Sequence, residues 1–392
     1  MVRVARGDQK DDNSMTHRQG TIQMVLAAAA LVGCSSGGGD KTGTGGSAGD
    51  AGPDGGGRVP PAGVVASGVR WFGRVDTTNA TGPRFSWSGT GFVAQLSGTG
   101  LSADLTMTTS NEPWLFRAVV DGTAQPVFTA TNGAGTYTLA TGLASGTHTV
   151  SLYRQTEGGE GEAVLTGLTA EGGTLADPPP GPARLIEFIG DSITCGYGTL
   201  GALADTDCFP TESAWDSYAG VTGQMLGAEV SNICASGRGV VQNYDGSTGG
   251  TLPMLYGRTI TNAPTPAWDF HIEPDAVVIN LGTNDIAKSD PGTAFTQTYQ
   301  TLLQTVRSHY PHAYIFCIIG PLLSGSQLTT IQGYISTAVA AQNAAGDARV
   351  EYFDQIQPQP SSAAACQYHP NMAEQTTMAT QLSAEIASKL GW

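Results

Sequence analysis

A run of prolines divides the chain into two parts with different hydrophobic patterns. The segment Asp177-Pro178-Pro179-Pro180-Gly181-Pro182 cannot join a regular sheet, because proline fixes φ and has no N–H to donate. Before it, short segments alternate apolar and polar residues without a helical period. After it, apolar strand patterns alternate with amphipathic helical patterns. The sequence therefore predicts two domains of different fold class, joined by a stiff linker over residues 177–183.

The first domain, residues 63–176, is predicted to be an all-β sandwich with a jelly-roll-like arrangement. Its segments are brief and are separated by Gly, Thr and Asn turns, as is typical of antiparallel sheets. The pattern is carried by FVAQLSG, SADLTMTT, WLFRAVVDG, TYTLATG and HTVSLYRQT.

The second domain, residues 184–392, is predicted to be a three-layer α/β domain with a flavodoxin-like parallel sheet. Strands are expected over 185–189, 230–233, 276–281, 314–319 and 350–353. Helical periodicity is clear for Phe295, Tyr299, Leu302, Val306 and Tyr310, and again for Met378, Leu382, Ile386 and Leu390. In such folds the active site lies at the carboxyl ends of the strands.

The N-terminal region resembles a bacterial export signal. An apolar run over residues 22–32 is too short to span a bilayer, follows two basic residues and ends beside Cys34. This predicts a lipoprotein-type signal peptide over residues 1–34, with lipidation of Cys34. Met15 is an alternative start, and a buried helix is a weaker alternative because a Gly/Ser/Thr-rich linker follows over 35–62. We expect an exported protein, lipid-anchored in the cell envelope or secreted.

The overall charge restricts the partners. Lys and Arg number 18 against 33 Asp and Glu, which gives a net charge of -15. Such a chain is repelled by nucleic acid and by anionic membrane surfaces. We expect no nucleic-acid partner, membrane contact only through the lipid anchor, and a monomer.

The cysteines beyond Cys34 are odd in number: Cys195, Cys208, Cys234, Cys317 and Cys366. At least one is therefore unpaired or pairs outside the chain. Export permits disulfides. A bond between Cys195 and Cys208 would close a short loop, but the sequence leaves the connectivity open.

Ser192 stands where the first strand of the second domain ends, in IEFIGDSITCGYG. At a strand-to-helix turn its hydroxyl and its own N–H can both face a substrate, as a nucleophile requires. Serine is also favoured as the residue that caps a helix N-terminus, so both interpretations remain open.

Two further turns could donate hydrogen bonds to an oxyanion. Gly237 follows the second strand, and Asn284 follows the third strand in Gly282-Thr283-Asn284-Asp285. A tetrahedral oxyanion needs two or three fixed donors, which the Ser192 N–H, the Gly237 N–H and the Asn284 carboxamide could supply. Glycine and asparagine are also ordinary turn residues.

The best candidate for a general base is His369, which lies between the fifth strand and the last helix. Pro370 disfavours helix at that position. Asp269, His271 and Glu273 alternate and form a weaker metal-site alternative, because no second His or Cys pair completes it.

The motifs GDSIT, Asn-x-x-x-Ser-Gly, GTND and a late His-Pro, in this order, resemble the four blocks of the SGNH or GDSL hydrolases. The preceding β-domain is similar to that of carbohydrate esterase family 2. So are the phrases WFGR, RQTE and LPMLYGRT. The resemblance implies a Ser192–His369 pair, no metal or organic cofactor, and removal of O-acetyl groups from plant polysaccharides such as xylan or glucomannan.

The chain departs from the superfamily at one position. Many SGNH hydrolases have Asp three residues before the histidine, where this chain has Cys366. No carboxylate is placed locally to hold the imidazole. We therefore predict a Ser-His dyad in which a backbone carbonyl or another neutral group orients His369, as the resemblance implies for some family members.

Aromatic rings are the expected sugar-binding surfaces, because pyranose faces stack on flat apolar rings. Trp268 and Tyr197 are the first candidates and Trp215 and Tyr244 the next, although core packing is an equally ordinary role for each. Two functional alternatives remain: a lipase or thioesterase with the same catalytic residues, and a non-catalytic carbohydrate-binding surface lipoprotein.

Overall fold

A computed structural model describes residues 68–109 and 114–392. The predicted signal peptide with Cys34, and the linker over 35–62, lie outside the described residues. Within the described ranges, no helix has the length and apolar character needed to cross a membrane.

The N-terminal domain consists of two antiparallel sheets, which confirms the predicted all-β class. One sheet has the order β1-β4-β10-β6-β7, with β12 beside β4 and β8 beside β6, and the other has the order β2-β3-β11-β5-β9. The strands are β1 (Val69–Phe72), β2 (Val75–Asp76), β3 (Arg84–Phe85), β4 (Gly91–Gly98), β5 (Gly100–Thr109), β6 (Trp114–Val120), β7 (Thr123–Ala124), β8 (Phe128–Ala130), β9 (Gly133–Ala140), β10 (Gly146–Arg154), β11 (Gly161–Glu171) and β12 (Thr174–Ala176).

The sandwich core lies between the two sheets. Alternate residues of β4 and β5 point into it, and they include the fully buried Phe92, Leu96, Leu101 and Leu105. This is the inward-outward alternation that the sequence showed as alternating apolar and polar residues.

The C-terminal domain contains a parallel sheet of order β14-β13-β17-β18-β19, as predicted for a flavodoxin-like domain. Each strand ends within one residue of its predicted bounds. Its elements, with a hairpin formed by β15 and β16, are β13 (Leu185–Gly190), α1 (Ser192–Cys195), α2 (Tyr218–Leu226), β14 (Glu229–Cys234), α3 (Leu252–Leu255), β15 (Arg258–Ile260), β16 (Ala263–Ala267), β17 (Ala276–Asn280), α4 (Asp285–Lys288), α5 (Thr293–His309), β18 (Tyr314–Ile318), α6 (Gly325–Ala344), β19 (Val350–Tyr352) and α7 (Met372–Leu390).

Helices cover both faces of this sheet. Phe188 and Val278 belong to a cluster that includes residues of α2 and α7. Ile189 and Ile279 point to the opposite face and pack with residues of α5 and α6. Because both faces are buried, the strands read in the sequence as continuous apolar runs.

The two domains are joined by a buried ion pair. The Arg74 guanidinium of the sandwich donates to the Glu187 carboxylate of β13 at 3.2 Å, and both residues are almost completely buried. The hydroxyl of Tyr256 also donates to Glu187, at 2.8 Å. This pair anchors the sandwich to β13, an interior strand of the parallel sheet.

Two disulfides are present, Cys195–Cys234 and Cys208–Cys366. The suggested pairing of Cys195 with Cys208 is therefore wrong. Cys195 follows β13 while Cys234 ends the adjacent β14, so the parallel register brings these two together. Cys317 is buried and unpaired, which agrees with the odd number of cysteines.

Candidate active site

Ser192 and His369 meet at the carboxyl edge of the parallel sheet. Ser192 is the first residue of α1, and His369 precedes α7. The distance between Ser192 Oγ and His369 Nε2 is 2.8 Å, although the two residues are 177 positions apart in the sequence. This is the geometry in which an imidazole can remove a proton from a hydroxyl.

The Ser192 turn is shaped by its neighbours. Asp191, not Ser192, caps α1, because the Asp191 carboxylate accepts a hydrogen bond from the Ile193 N–H at 3.0 Å. A Cβ at Gly190 would lie 1.9 Å from Thr194 Oγ1, so only glycine fits there. The helix-cap role that the sequence left open for Ser192 thus belongs to Asp191, and the serine hydroxyl is available to His369.

Asp191 also links the first and third sequence blocks. The Asn284 Nδ2 donates to the Asp191 carboxylate at 3.3 Å. Complete burial raises the pKa of the Asp191 carboxyl to about 7. The carboxyl therefore changes charge near neutral pH while it contacts both α1 and Asn284.

His369 is held by a turn of unusual backbone conformation. The two residues before it, Gln367 and Tyr368, have φ values of 48° and 65°, in the left-handed region that side chains disfavour. The Gln359 side chain donates to the Tyr368 carbonyl at 2.6 Å, and the Ala365 N–H donates to the His369 carbonyl at 2.6 Å. These bonds fix the backbone on both sides of the imidazole.

The second ring nitrogen of His369 has no carboxylate partner among residues 68–109 and 114–392. Nδ1 is buried and makes no hydrogen bond of ordinary geometry to a described residue. The carbonyls of Gln367 and Cys366 lie near enough to favour a proton on the ring, but burial dominates and lowers the pKa of the imidazole below 6.5. His369 is therefore neutral at pH 7, as a general base must be.

Gly237 lies in the turn after β14, the strand that pairs with β13. Its φ is 73°, and an added Cβ would lie 2.7 Å from the Tyr244 ring. The preceding Ser236 N–H donates to the carboxylate of Glu157, a sandwich residue, at 2.6 Å. The Ala235 N–H donates to the Gly190 carbonyl at 3.2 Å, which ties this turn to the Ser192 turn.

Asn284 lies at the same edge, but its amide already has protein acceptors. Its Nδ2 donates to the Arg238 carbonyl at 3.0 Å and, more weakly, to Asp191 at 3.3 Å. Donation to an oxyanion would therefore require the longer bond to Asp191 to be shared or released.

The loop after Gly237 is organised by a buried carboxylate. Asp285 accepts hydrogen bonds from the backbone N–H groups of Val240, Val241 and Gln242, at distances from 2.7 to 3.2 Å. Burial raises the pKa of the Asp285 carboxyl, and these N–H groups act against that rise. Asp285 thereby connects the third sequence block to the second.

Two of the four aromatic candidates lie at the site. The Tyr197 ring packs edge-on against the His369 imidazole, with 5.0 Å between the ring centres. Tyr244 packs against Gly237 and is 63% exposed. Tyr197 therefore lies against the catalytic base, and Tyr244 lies at the Gly237 turn with its ring open to solvent.

The other two candidates pack against the sandwich, and their role as sugar platforms stays a prediction. Trp268 precedes β17, and hence belongs to the opposite end of the sheet, where it lines a groove of ≈ 350 Å³ with Trp71 and Asp76. Trp215 packs against Tyr153 of the sandwich, with ring centres 4.9 Å apart. Closeness in sequence to a catalytic block did not translate into closeness in space.

The alternative metal ligands do not converge. The His271 ring bonds to Asp269, whereas the Glu273 carboxylate accepts a hydrogen bond from the His312 ring at 3.1 Å. In residues 68–109 and 114–392, no three His, Cys, Asp or Glu side chains are arranged to hold a metal ion.

Sequence reasoning missed three contributors to this edge: Glu157, Asp285 and the disulfide of Cys366. Asp285 is the last residue of the GTND motif, directly after Asn284, and this position could have indicated that it lies at the same edge. Glu157 belongs to the RQTE phrase that ends β10, but nothing in the sequence shows which loop it reaches.

Two consecutive segments of the chain match known protein families. Residues 71–179 match the model for the N-terminal domain of carbohydrate esterase 2, and residues 188–375 match the GDSL-like lipase/acylhydrolase family. Together they cover the sandwich and most of the α/β domain.

Individual relatives are consistent with these two family matches. The chain is 37% identical over 328 residues to the cellulase/esterase CelE of Acetivibrio thermocellus, covering 83% of this chain but only 40% of CelE. It is 25% identical over 328 residues to an acetylxylan esterase/glucomannan deacetylase of Cellvibrio japonicus, covering 83% of this chain and 89% of that protein.

A solved structure matches over the same region. It is a family two carbohydrate esterase from Clostridium thermocellum in complex with cellohexaose, 36% identical, with a TM-score of 0.79, and the match covers 83% of this chain and 100% of that one. Both domains, in the same order, are therefore shared. The chain belongs to carbohydrate esterase family 2, whose catalytic domain is of the GDSL hydrolase type.

Proposed function

We propose that this protein is a serine esterase that removes O-acetyl groups from plant cell-wall polysaccharides of the xylan or glucomannan type. The observation that carries the proposal is the 2.8 Å contact between Ser192 Oγ and His369 Nε2 beside the turns of Gly237 and Asn284. The family and the names of the relatives support the substrate class. Export with lipidation at Cys34, and a monomeric state, complete the proposal.

Acylation begins at the dyad. His369 Nε2 takes the proton of Ser192, and Oγ attacks the carbonyl carbon of the acetyl group. The charge that develops on the carbonyl oxygen is stabilised by the N–H groups of Ser192 and Gly237 and by the Asn284 amide. His369 then protonates the departing sugar hydroxyl, which leaves an acetyl ester on Ser192.

Deacylation uses the same groups in reverse. His369 takes a proton from water, and the resulting hydroxide attacks the acetyl ester of Ser192. The tetrahedral intermediate meets the same donors, acetate leaves, and the proton returns to Ser192. The chemistry uses side chains, backbone N–H groups and water.

The absence of a carboxylate on Nδ1 is compatible with this sequence of steps. In a triad the carboxylate fixes the tautomer and stabilises the imidazolium. Here the carbonyls of Cys366 and Gln367 face the imidazole and favour its protonated form. They support a dyad in which Nδ1 keeps its hydrogen and Nε2 accepts the serine proton.

The proposal is tested by acetate release. The full chain should release acetate from aryl acetates and from acetylated xylan or glucomannan, and Ser192→Ala should lower kcat by at least about 10³-fold without unfolding the protein. Ser336→Ala is the matched control, because Ser336 is exposed on α6, and it should keep full activity.

The choice of acyl group separates this proposal from a lipase or thioesterase. Initial rates should be highest for acetyl esters and fall with longer acyl chains. Faster hydrolysis of long-chain esters would contradict the proposed substrate class, and full activity of Ser192→Ala would eliminate the nucleophile.

A further inference from the structure

Cys366 occupies the position three residues before His369 and is bonded to Cys208, which is 158 residues away in sequence. Both cysteines are completely buried. The disulfide therefore ties the turn that carries His369 to the loop that follows the Ser192 helix, at the position where other SGNH hydrolases place a carboxylate.

The surroundings of Cys366 leave it little room to move. An added Cβ at Gly198 would lie 2.9 Å from the Cβ of Cys366, and one at Gly201 would lie 3.0 Å from it. Both glycines belong to the loop after the Ser192 helix, so this backbone packs directly on the disulfide. Gln367 also reaches across, and its side chain donates to the Thr206 carbonyl at 3.0 Å.

The turn held by this disulfide is one that the chain alone would not maintain. Gln367 and Tyr368 are consecutive left-handed residues with side chains, a conformation that persists only where surrounding contacts impose it. The carbonyls of Cys366 and Gln367 belong to this same turn, and the Cys366 carbonyl accepts the His369 backbone N–H at 3.0 Å. If the turn relaxed, the ring would lose both its orientation and the groups that favour one tautomer.

We propose that the Cys208–Cys366 disulfide is the positioning element of His369. In a triad a carboxylate orients the imidazole through a hydrogen bond, and here the covalent bond holds the turn that orients it. The inference rests on the proposed function, because it assigns how the base of that reaction is oriented. Cys208 and Cys366 are positioning residues, since neither sulfur takes part in the chemical steps.

The test compares two disulfide-free forms of the full chain. Cys208→Ala/Cys366→Ala should lower kcat on an aryl acetate by about 10- to 100-fold with little change in KM, since a misplaced base costs this much. The rates are measured well below the melting temperature of each variant, which separates positioning from stability.

Cys208→Ala/Cys366→Asp is the rescue variant. It lacks the same disulfide but places a carboxylate at the usual spacing, and it should recover most of the lost kcat. A negative charge beside the ring stabilises the imidazolium and raises its pKa, so the acidic midpoint of the rate profile should move to higher pH. A purely structural role of the disulfide predicts neither change.

Two outcomes overturn the inference: wild-type kcat in the double alanine variant, or equal losses in the alanine and aspartate variants. If the disulfide-free chains do not fold, Gln359→Ala and Gln367→Ala keep the disulfide and remove hydrogen bonds of the same turn. Because the disulfide still holds the turn, both should keep most of the wild-type kcat, and a 10- to 100-fold loss in either would show that these side chains, not the disulfide, position His369 and would overturn the inference.

Nitrogen NMR of the His369 ring makes the test independent of activity. The wild-type ring should show one dominant tautomer, and the double alanine variant a mixture. A wild-type protein without esterase activity would refute the proposed function. A single tautomer in both proteins would refute the positioning role alone.

Discussion

His369 illustrates how burial sets the chemistry of a single residue. Because burial disfavours the imidazolium, the pKa of the ring lies below 6.5. Activity requires the neutral ring, so the rate should fall only when the pH drops through this lowered pKa. We expect kcat/KM on an aryl acetate to reach half of its maximum at a pH below the ordinary histidine value of 6.5.

The matched control for this pH profile is Asp191→Asn. The Asp191 carboxyl is a second group near the dyad that titrates in this range, with a pKa of about 7. The acidic midpoint should persist in this variant if it belongs to His369. A midpoint above 6.5 in the wild type would contradict the assigned effect of burial.

At the residue level, the sequence identified the groups that follow each strand but not those that depend on distant contacts. Ser192, Gly237, Asn284 and His369 were predicted because parallel strands bring their carboxyl ends to one edge, and the structure brings Ser192 and His369 into contact. The pairing of Cys366 with Cys208 depends on how two long loops cross, and no local pattern encodes that.

At the level of elements, the loop after β14 depends on one carboxylate. Asp285→Ala would leave the N–H groups of Val240, Val241 and Gln242 without their acceptor. We expect a loss of about 2–3 kcal/mol in the free energy of unfolding, measured with urea, and a lower kcat because this loop continues from Gly237.

The control for this loop is Asp354→Ala, which removes an exposed carboxylate. Its free energy of unfolding should stay within about 0.5 kcal/mol of the wild type. Equal stability of the two variants would show that the loop does not rely on Asp285.

Elements were predicted more accurately than the aromatic contacts between them. The buried strands could be placed because residues covered on both faces form continuous apolar runs. Trp268 precedes β17, toward the amino end of the sheet, whereas the catalytic blocks follow the strands. The direction of a strand, not the number of residues to a motif, decides which edge a side chain reaches.

At the level of the whole molecule, the sandwich and the α/β domain share a buried charge pair. Arg74→Met would leave the Glu187 carboxylate buried without its cation, and should lower the free energy of unfolding by about 3–5 kcal/mol. Arg74→Met/Glu187→Gln removes both charges and keeps an acceptor for the Tyr256 hydroxyl. The double variant should recover at least half of the loss in a urea titration.

The same interface extends to the catalytic edge, because Glu157 of the sandwich accepts the Ser236 N–H at 2.6 Å.

If Arg74→Met/Glu187→Gln were as unstable as Arg74→Met, the unpaired Glu187 charge would not be the cause of the lower free energy of unfolding. The order of the two domains was visible in the sequence. Their joining contacts were not, because they connect residues 113 positions apart for Arg74 and Glu187.

The two disulfides also determine the conditions under which active protein can be expressed. Cys195–Cys234 joins the nucleophile helix to β14, and Cys208–Cys366 joins the base to the loop behind it. Protein made in a reducing host cytosol would carry four free thiols at these positions. Such a preparation should be poorly active, and oxidative refolding should raise its specific activity as the number of titratable thiols falls by four.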